Sequence, residues 1–158
     1  YSTAYRIFEV LVIFGTFFTN ALFPVFVHKL KTREFPNLFR ESLLFSFLAA
    51  ILSIVVLSLL AKYIILIVAG EKFMAAVLPL QILGFALALS LFLNIYYSLI
   101  IALNRQKQTI LVGLVALTFN LASNVLFIPK FSYLASSVST VLTAVIILIG
   151  YVLIVGKK

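Results

Sequence analysis

The sequence predicts an all-α fold, a bundle of about five membrane-spanning helices, and three observations support this prediction. Apolar residues make up 65% of the chain and charged residues only 10%, compared with about 45–50% and about 25% in a typical soluble domain. Five segments contain no Asp, Glu, Lys, Arg or His: 10–27, 42–61, 73–104, 108–129 and 131–156. The charged residues lie in the short gaps between these segments. Because about 20 apolar residues in a helix cross the hydrocarbon core of a bilayer, each segment is near or above the length required.

We expect one transmembrane domain over residues 1–158, with helices near residues 4–28, 38–69, 73–103, 107–128 and 131–155. The second helix is open to two interpretations because Lys62 interrupts it. Either the amine of Lys62 extends to the membrane surface from one long tilted helix, or a short segment after Lys62 folds along that surface. Pro24 and Pro79 predict kinks in the first and third helices.

Composition and charge exclude several other classes of protein. The net charge is +8, but nucleic-acid-binding proteins cluster Lys and Arg on one face, whereas here the basic residues separate apolar segments. The chain has no Cys, one His and four acidic residues, so disulfides and thiolate metal sites are excluded. We expect no nucleic-acid partner, no metal site and no enzyme, because catalysis uses clustered His, Asp, Glu or Ser side chains that these helices lack.

The distribution of basic residues predicts the orientation in the membrane. If the chain crosses five times, eight basic residues fall on one side: Lys29, Lys31, Arg33, Arg40, Arg105, Lys107, Lys157 and Lys158. Lys62, Lys72 and Lys130 fall on the other side. Short loops rich in Lys and Arg face the cytoplasm. We therefore expect a multi-pass protein of the cytoplasmic membrane with its N-terminal end outside and its C-terminal end cytoplasmic.

Arg6 and Glu9 are the first candidates for a functional site. They are three residues apart on one helix face, where they can form an ion pair, and both lie near the predicted outer boundary of the first helix. One interpretation is an ion pair at the membrane surface. The other is a charged wall of a water-filled cavity that contacts an anionic head group, because ionisable residues beside a membrane span are often functional.

Asparagines and small residues inside the helices form a second group of candidates. The asparagines are Asn20, Asn94, Asn120 and Asn124. Amide side chains in membrane helices commonly form hydrogen bonds to other helices, so we expect a structural role first and a position along a substrate path second. A stripe of small polar residues follows the fifth helix at Ser132, Ser136, Thr140 and Thr143. Small residues allow close helix approach, and packing is the expected role of this stripe.

Four passages, in order along the chain, carry a resemblance to a known family. They are Tyr1–Glu9 with Ala21–Pro24, Gly70–Leu83, Ala102–Lys107 and Asn120–Thr140. They resemble the second half of polysaccharide flippases, which belong to the multidrug/oligosaccharidyl-lipid/polysaccharide exporter superfamily. The last passage is similar to the family pattern N-x-x-x-N-x-x-x-I-P-x-x-G-x-x-G-A-A-x-x-T, with Ser132 and Ala135 in place of its two glycines.

The resemblance implies a transporter in polysaccharide biosynthesis rather than an enzyme. It implies that these helices are most of one half of a two-halved protein that moves a lipid-linked oligosaccharide across the cytoplasmic membrane by alternating access. The start at Tyr1 and the odd number of helices also favour a piece of a longer transporter. The implied partners are membrane lipids, the lipid-linked glycan and the other half of the transporter.

By the same resemblance, Arg6 is expected to contact the head group with Glu9 beside it, and the four asparagines are the next candidates along the path. The resemblance implies no bound cofactor, apart from a possible coupling cation, either Na⁺ or H⁺. Two alternatives remain open. One is a cation-coupled multidrug antiporter of the same superfamily, which needs carboxylates within the membrane. The other is a membrane scaffold subunit that transports nothing.

Overall fold

The computed structural model describes residues 2–156, without the side chains of residues 2, 18 and 19, and in this range the fold is all-α. The helices are α1 Ser2–Lys29, α2 Phe35–Ala69, α3 Val77–Ala102 and α4 Gln108–Gly156, and a 3₁₀-helix Glu71–Ala76 leads directly into α3. Four helices are long and apolar enough to cross a membrane. The predicted all-α bundle of long apolar helices is therefore confirmed.

The last helix, α4, consists of two limbs that fold back on each other at Ser132. Ser132 has the non-helical backbone angles φ 51° and ψ −138°, and the limbs on either side cover residues 108–131 and 133–156. The limbs are antiparallel, since the Oγ atoms of Ser123 and Ser139 lie 2.5 Å apart. Each limb has about 24 residues and rises roughly 36 Å. The limbs correspond to the fourth and fifth helices that the sequence predicts.

The backbone at Ser132 is strained, which predicts that glycine stabilises the protein at this position. A φ of 51° with a ψ of −138° is a region that residues with a Cβ rarely adopt, at a cost of about 1–3 kcal/mol. Glycine adopts it readily but loses about 0.5–1 kcal/mol more entropy on folding. We expect Ser132→Gly to raise the free energy of unfolding in detergent by about 1 kcal/mol. Ser132→Ala retains the Cβ and should give no gain, and an equal gain from alanine would contradict the role of the backbone.

The third helix, α3, forms the centre of the bundle. Helices α1, α2 and α4 each pack along α3, whereas in the described chain α1 and α4 do not pack against each other. On the α2 side the contact is close at Gly84, where an added Cβ would lie 3.2 Å from Cβ of Leu57. Ala88, one turn further along, is buried as well. Small residues thus bring α2 onto α3, and the divergence of α1 from α4 leaves room for a cavity.

The charged residues lie at the two ends of the bundle, as the sequence predicts. One end contains an apolar cluster around Phe26, Ile95 and Leu99, and the loops and helix ends beside it carry Lys29, Lys31, Arg33, Arg40, Arg105 and Lys107. The opposite end carries Lys62, Lys72 and Lys130. Tyr1, Lys157 and Lys158 lie outside the described residues. The threading between the two ends agrees with the sequence, and which end is cytoplasmic stays a prediction.

Helix boundaries differ from the predicted ones at two informative places. Helix α2 continues without a break to Ala69, so Lys62 is an exposed side chain on one long helix and no separate surface segment forms. Pro79 lies in the first turn of α3, where the missing N–H has no helical partner to lose. The kink predicted at Pro79 is therefore wrong, because the preceding residues form a 3₁₀-helix instead of the start of α3.

The turn between α3 and α4 fastens both ends of the α4 hairpin to α3. Asn104 adopts a φ of 58°, and the backbone N–H groups of Asn104 and Arg105 donate to the carbonyls of Ile101 and Ile100. This is the hydrogen-bond pattern of a Schellman cap. From the cap, Nη1 of Arg105 donates to the carbonyl of Ile154 at 3.0 Å. A cation is favourable at this position because the C-terminal carbonyls of a helix carry partial negative charge.

Candidate functional site: a polar cavity between α1, α3 and α4

The gap between α1 and α4 forms a cavity of about 450 Å³ above α3. The walls combine apolar side chains with a group of amides and hydroxyls. The lining residues with polar side chains include Tyr5, Ser90, Asn120, Asn124, Ser136 and Thr140. Asparagine, serine and threonine in the middle of long apolar helices are costly to bury without hydrogen bonds. The positions of their donors and acceptors therefore decide what the cavity is able to bind.

Asn120 joins the two limbs of α4 beside the cavity. Its Nδ2 donates to Oγ1 of Thr143 at 3.0 Å and to Oγ of Ser139 at 3.4 Å. Its Oδ1 accepts a hydrogen bond from Nδ2 of Asn124 at 3.0 Å. The amide of Asn120 is thus fully used in holding the hairpin together, as expected for an asparagine between membrane helices.

Asn124 is different, because one of its polar atoms has no partner. Its Nδ2 binds Asn120, whereas its Oδ1 is buried and, among the described residues, accepts no hydrogen bond. An unsatisfied buried acceptor costs about 1–3 kcal/mol. A hydrogen-bond donor inside the cavity would remove this cost, which makes Asn124 the residue of the cluster best suited to contact a ligand.

Two hydroxyl groups of the cavity, those of Thr140 and Ser90, present oxygen lone pairs rather than protons. Thr140 donates to the carbonyl of Ser136 at 2.9 Å, and Ser90 donates to the carbonyl of Leu87 at 2.7 Å. A hydroxyl has one proton and two lone pairs, so a proton held by the backbone leaves the oxygen as an acceptor. Together with Oδ1 of Asn124, these oxygens give the cavity a neutral surface rich in acceptors. Such a surface suits ligand groups that donate hydrogen bonds, such as hydroxyls.

Arg6, Glu9 and Asn20 lie on a different face of α1 and do not line this cavity. All three are exposed, and their spacing places them on one side of the helix together with Thr16. Arg6, Glu9 and Asn20 are not among the residues that line the cavity, whereas Tyr5 on a neighbouring face of α1 is. The structure therefore brings Asn120 and Asn124 together and separates them from Arg6, Glu9 and Asn20.

Arg6 and Glu9 also do not form the ion pair that their spacing allows. Within residues 2–156 the pair with charged atoms inside 4.0 Å is Lys29 with Glu34, at 2.7 Å. That pair lies in the loop between α1 and α2, where the hydrogen bond from Lys29 and then its positive charge lower the pKa of Glu34. Both charges of the Arg6–Glu9 stretch are consequently available to other groups along α1.

Asn94 lies at the contact between α3 and α1 and not in the cavity. An added Cβ at Gly15 would lie 3.8 Å from Nδ2 of Asn94. This Nδ2 is buried and, within the described part of the chain, has no hydrogen-bond partner. Asn94 therefore does not bond to another helix in this conformation, and its amide donor remains unused.

Some members of the polar cluster were assigned by sequence to packing or were not singled out. Ser136, Thr140 and Thr143 belong to the stripe for which packing was expected, and they line the cavity. Ser90 had no distinguishing sequence signal, because its neighbours in the sequence are apolar, and Ser123 was not singled out although it directly precedes Asn124. Their roles follow from contacts between positions that are far apart in the chain.

The cavity and its acceptors are the features of this chain that bear most directly on its function. No protein-family model matches this chain, and neither does any curated protein or any solved structure. The resemblance to polysaccharide flippases accordingly stays a prediction.

Proposed function

We propose that this chain is part of a membrane transporter that moves a lipid-linked oligosaccharide across the cytoplasmic membrane by alternating access. The observation that carries the proposal is the acceptor-rich cavity between α1, α3 and α4, inside a bundle whose helices are otherwise apolar and long enough to span a bilayer. A scaffold subunit would have no use for unsatisfied polar atoms at this depth, because each one lowers its stability.

The chemistry of the cavity favours the sugar part of such a substrate. Sugar hydroxyls donate hydrogen bonds, and the free Oδ1 of Asn124 and the oxygens of Ser90 and Thr140 accept them. A glycan thereby supplies donors to these atoms while the lipid tail stays in hydrocarbon. In alternating access, one part of the transporter rocks against another and opens such a site to each side in turn.

The phosphate of the lipid carrier needs cationic donors, and these lie elsewhere on the chain. In this proposal Arg6 contacts the phosphate from the polar side of α1, with Glu9 adjusting the local charge and Asn20 further along the same side. The cavity and this polar side then bind different parts of one substrate. The contribution of Arg6 to substrate binding can be measured separately from that of the cavity, since Arg6 is exposed and lies outside the cavity.

The residues that line the cavity also favour one coupling cation, Na⁺, over the other, a proton. Neutral amide and hydroxyl oxygens are able to hold Na⁺, whereas a coupling proton requires a titratable group. Among the described lining residues none is a carboxylate or a histidine. The same observation argues against the multidrug antiporter, in which carboxylates hold the cationic drug or the proton.

Transport is tested with the native protein in proteoliposomes that contain a labelled lipid-linked oligosaccharide. A glycan-modifying reagent added outside reports how fast the protected inner pool becomes accessible. We expect Asn124→Leu to slow this exchange about fivefold, because one ligand hydrogen bond is lost. Arg6→Ala should also slow the exchange, whether or not Asn124 is replaced.

Thr118→Val serves as the matched control, because Thr118 lies on the same limb, is exposed, and bonds only to the carbonyl of Leu114. It should exchange at the wild-type rate. Wild-type exchange by Asn124→Leu that inserts normally would contradict the role of the cavity. Uptake of a cationic dye under an ion gradient, without glycan exchange, would favour the antiporter instead.

A further inference from the structure

A second, apolar cavity lies along the seam of the α4 hairpin, on the other side of the seam from the polar cavity. It has a volume of about 370 Å³ and is lined by three phenylalanines, aliphatic side chains and two serines: Phe119, Phe127, Phe131, Leu134, Val138, Leu142, Ser123 and Ser139. The two serines bind each other at 2.5 Å. Their polar atoms are satisfied, so the floor of this groove needs no polar partner.

We propose that this groove holds one hydrocarbon chain of an anionic, phosphate-bearing membrane lipid, and that Lys130 binds its phosphate. This lipid site goes beyond the proposed transport function and would exist whether or not the polar cavity carries a glycan. It requires only that the hairpin lies in a bilayer with Ser132 near one surface.

The dimensions of the groove fit a single chain. From Phe119 to Phe131 the first limb rises roughly 18 Å, and half of the hydrocarbon core of a bilayer is about 15 Å thick. The groove has a volume of about 370 Å³, and its lining residues recur at every turn of the first limb from Phe119 to Phe131, so it is long and narrow. A long, narrow apolar groove of this kind accommodates an extended hydrocarbon chain along its length.

The positive charge of Lys130 lies where it can complement the negative charge of the lipid phosphate. It is the one charged residue in the sequence of α4, and it is exposed. Lys130 follows Phe127 by three residues and Ser123 by seven, which places it on the groove side of the first limb. It lies in the last turn before Ser132, at the end of the hairpin where lipid phosphates meet the bilayer surface. An ammonium group binds phosphate as a compact point charge.

The test uses tryptophan fluorescence, because the chain contains no Trp and a single introduced Trp reports on one site. Phe127→Trp places the reporter in the groove. Leu121→Trp is the matched control, since Leu121 lies on the same limb, is exposed, and does not line the groove. The protein is reconstituted in phosphatidylcholine vesicles, and quenching is titrated with phosphatidic acid or phosphatidylcholine that carries bromine on the acyl chain.

We expect the Phe127→Trp reporter to prefer brominated phosphatidic acid over brominated phosphatidylcholine about fivefold, the effect of one lysine near an anionic lipid. The Leu121→Trp reporter should show no preference. Adding Lys130→Gln should abolish the preference, whereas Lys130→Arg and Lys72→Gln should retain it. Ala135→Leu, which fills the groove, should reduce quenching by both lipids at the Phe127→Trp reporter.

Equal quenching by the two lipids at the Phe127→Trp reporter would overturn the proposal, and so would a preference that survives Lys130→Gln. Displacement by inorganic phosphate would identify a free-anion site and would also overturn it. Normal quenching of the Leu121→Trp reporter in each variant shows that the protein has inserted. A failure of glycan exchange with an intact lipid preference would contradict the transport function and leave the lipid site standing.

Discussion

Replacing Gly150 by alanine is expected to destabilise the α4 hairpin by about 2 kcal/mol, the largest effect predicted for a single substitution in this chain. An added Cβ at Gly150 would lie 2.6 Å from Cγ1 and 2.7 Å from Cγ2 of Val112 on the opposite limb. Both methyl groups of valine leave its χ1 little freedom in a helix. The clash is relieved only if the limbs separate, so the free energy of unfolding in detergent should fall.

The cause is isolated by substitutions on the first limb. Val112→Ala removes both methyl groups, and the double variant with Gly150→Ala should recover most of the lost stability. Gly113→Ala is the matched glycine control, because nothing lies within 4 Å of an added Cβ at Gly113. It should be neutral or slightly stabilising, since alanine is the better helix former. Additive losses in the double variant would show that the contact with Val112 is not the cause.

Asn120→Leu is expected to have the second largest effect on stability, a loss of about 1–2 kcal/mol. The substitution removes the hydrogen bonds from Nδ2 to Thr143 and Ser139 across the hairpin. It also removes the acceptor of Asn124 Nδ2, which becomes a second unsatisfied atom of that side chain. The measurement is again the free energy of unfolding of the reconstituted or detergent-solubilised protein.

The hydrogen bond between Asn120 and Asn124 allows this prediction to be tested with a double variant. Asn120→Leu combined with Asn124→Leu removes both partners of the hydrogen bond at once. Removing both partners costs less stability than leaving one buried polar group without a partner. The double variant should therefore lose less stability than the sum of the single variants. Strict additivity would mean that Asn124 does not depend on Asn120 for its hydrogen bond.

The sequence alone predicted an all-α bundle of long apolar helices and the approximate extent of each of them. A segment such as 73–104 is predicted to cross a bilayer because it contains no charged side chain over more than the required length. The loop charges then separate into two groups, and the structure places those groups at opposite ends of the bundle. These properties are local, because they depend on the polarity of neighbouring residues and on the rise of a helix.

The sequence predicted less well which side chains lie close together in the folded protein. Arg6 and Glu9 were grouped with the asparagines as one substrate path, but they lie on a face of α1 that does not border the polar cavity. Asn120 and Asn124 were correctly placed on one face, because their separation of four residues is enough to show it. Ser136, Thr140 and Thr143 of the predicted stripe share one face, but Ser132 lies at the reversal outside the helix, and the exposure of the stripe to a cavity was not foreseen.

Only the tertiary structure decided where polar and apolar spaces form. Asn120 meets Thr143 because the chain reverses at Ser132, and Ser123 meets Ser139 for the same reason. The cavity exists because α1 and α4 both pack on α3 while their backbones stay apart from each other in the described chain. Helix polarity is a property of each segment by itself, whereas the face that a helix presents depends on how several helices pack together, and that packing joins residues far apart in the sequence.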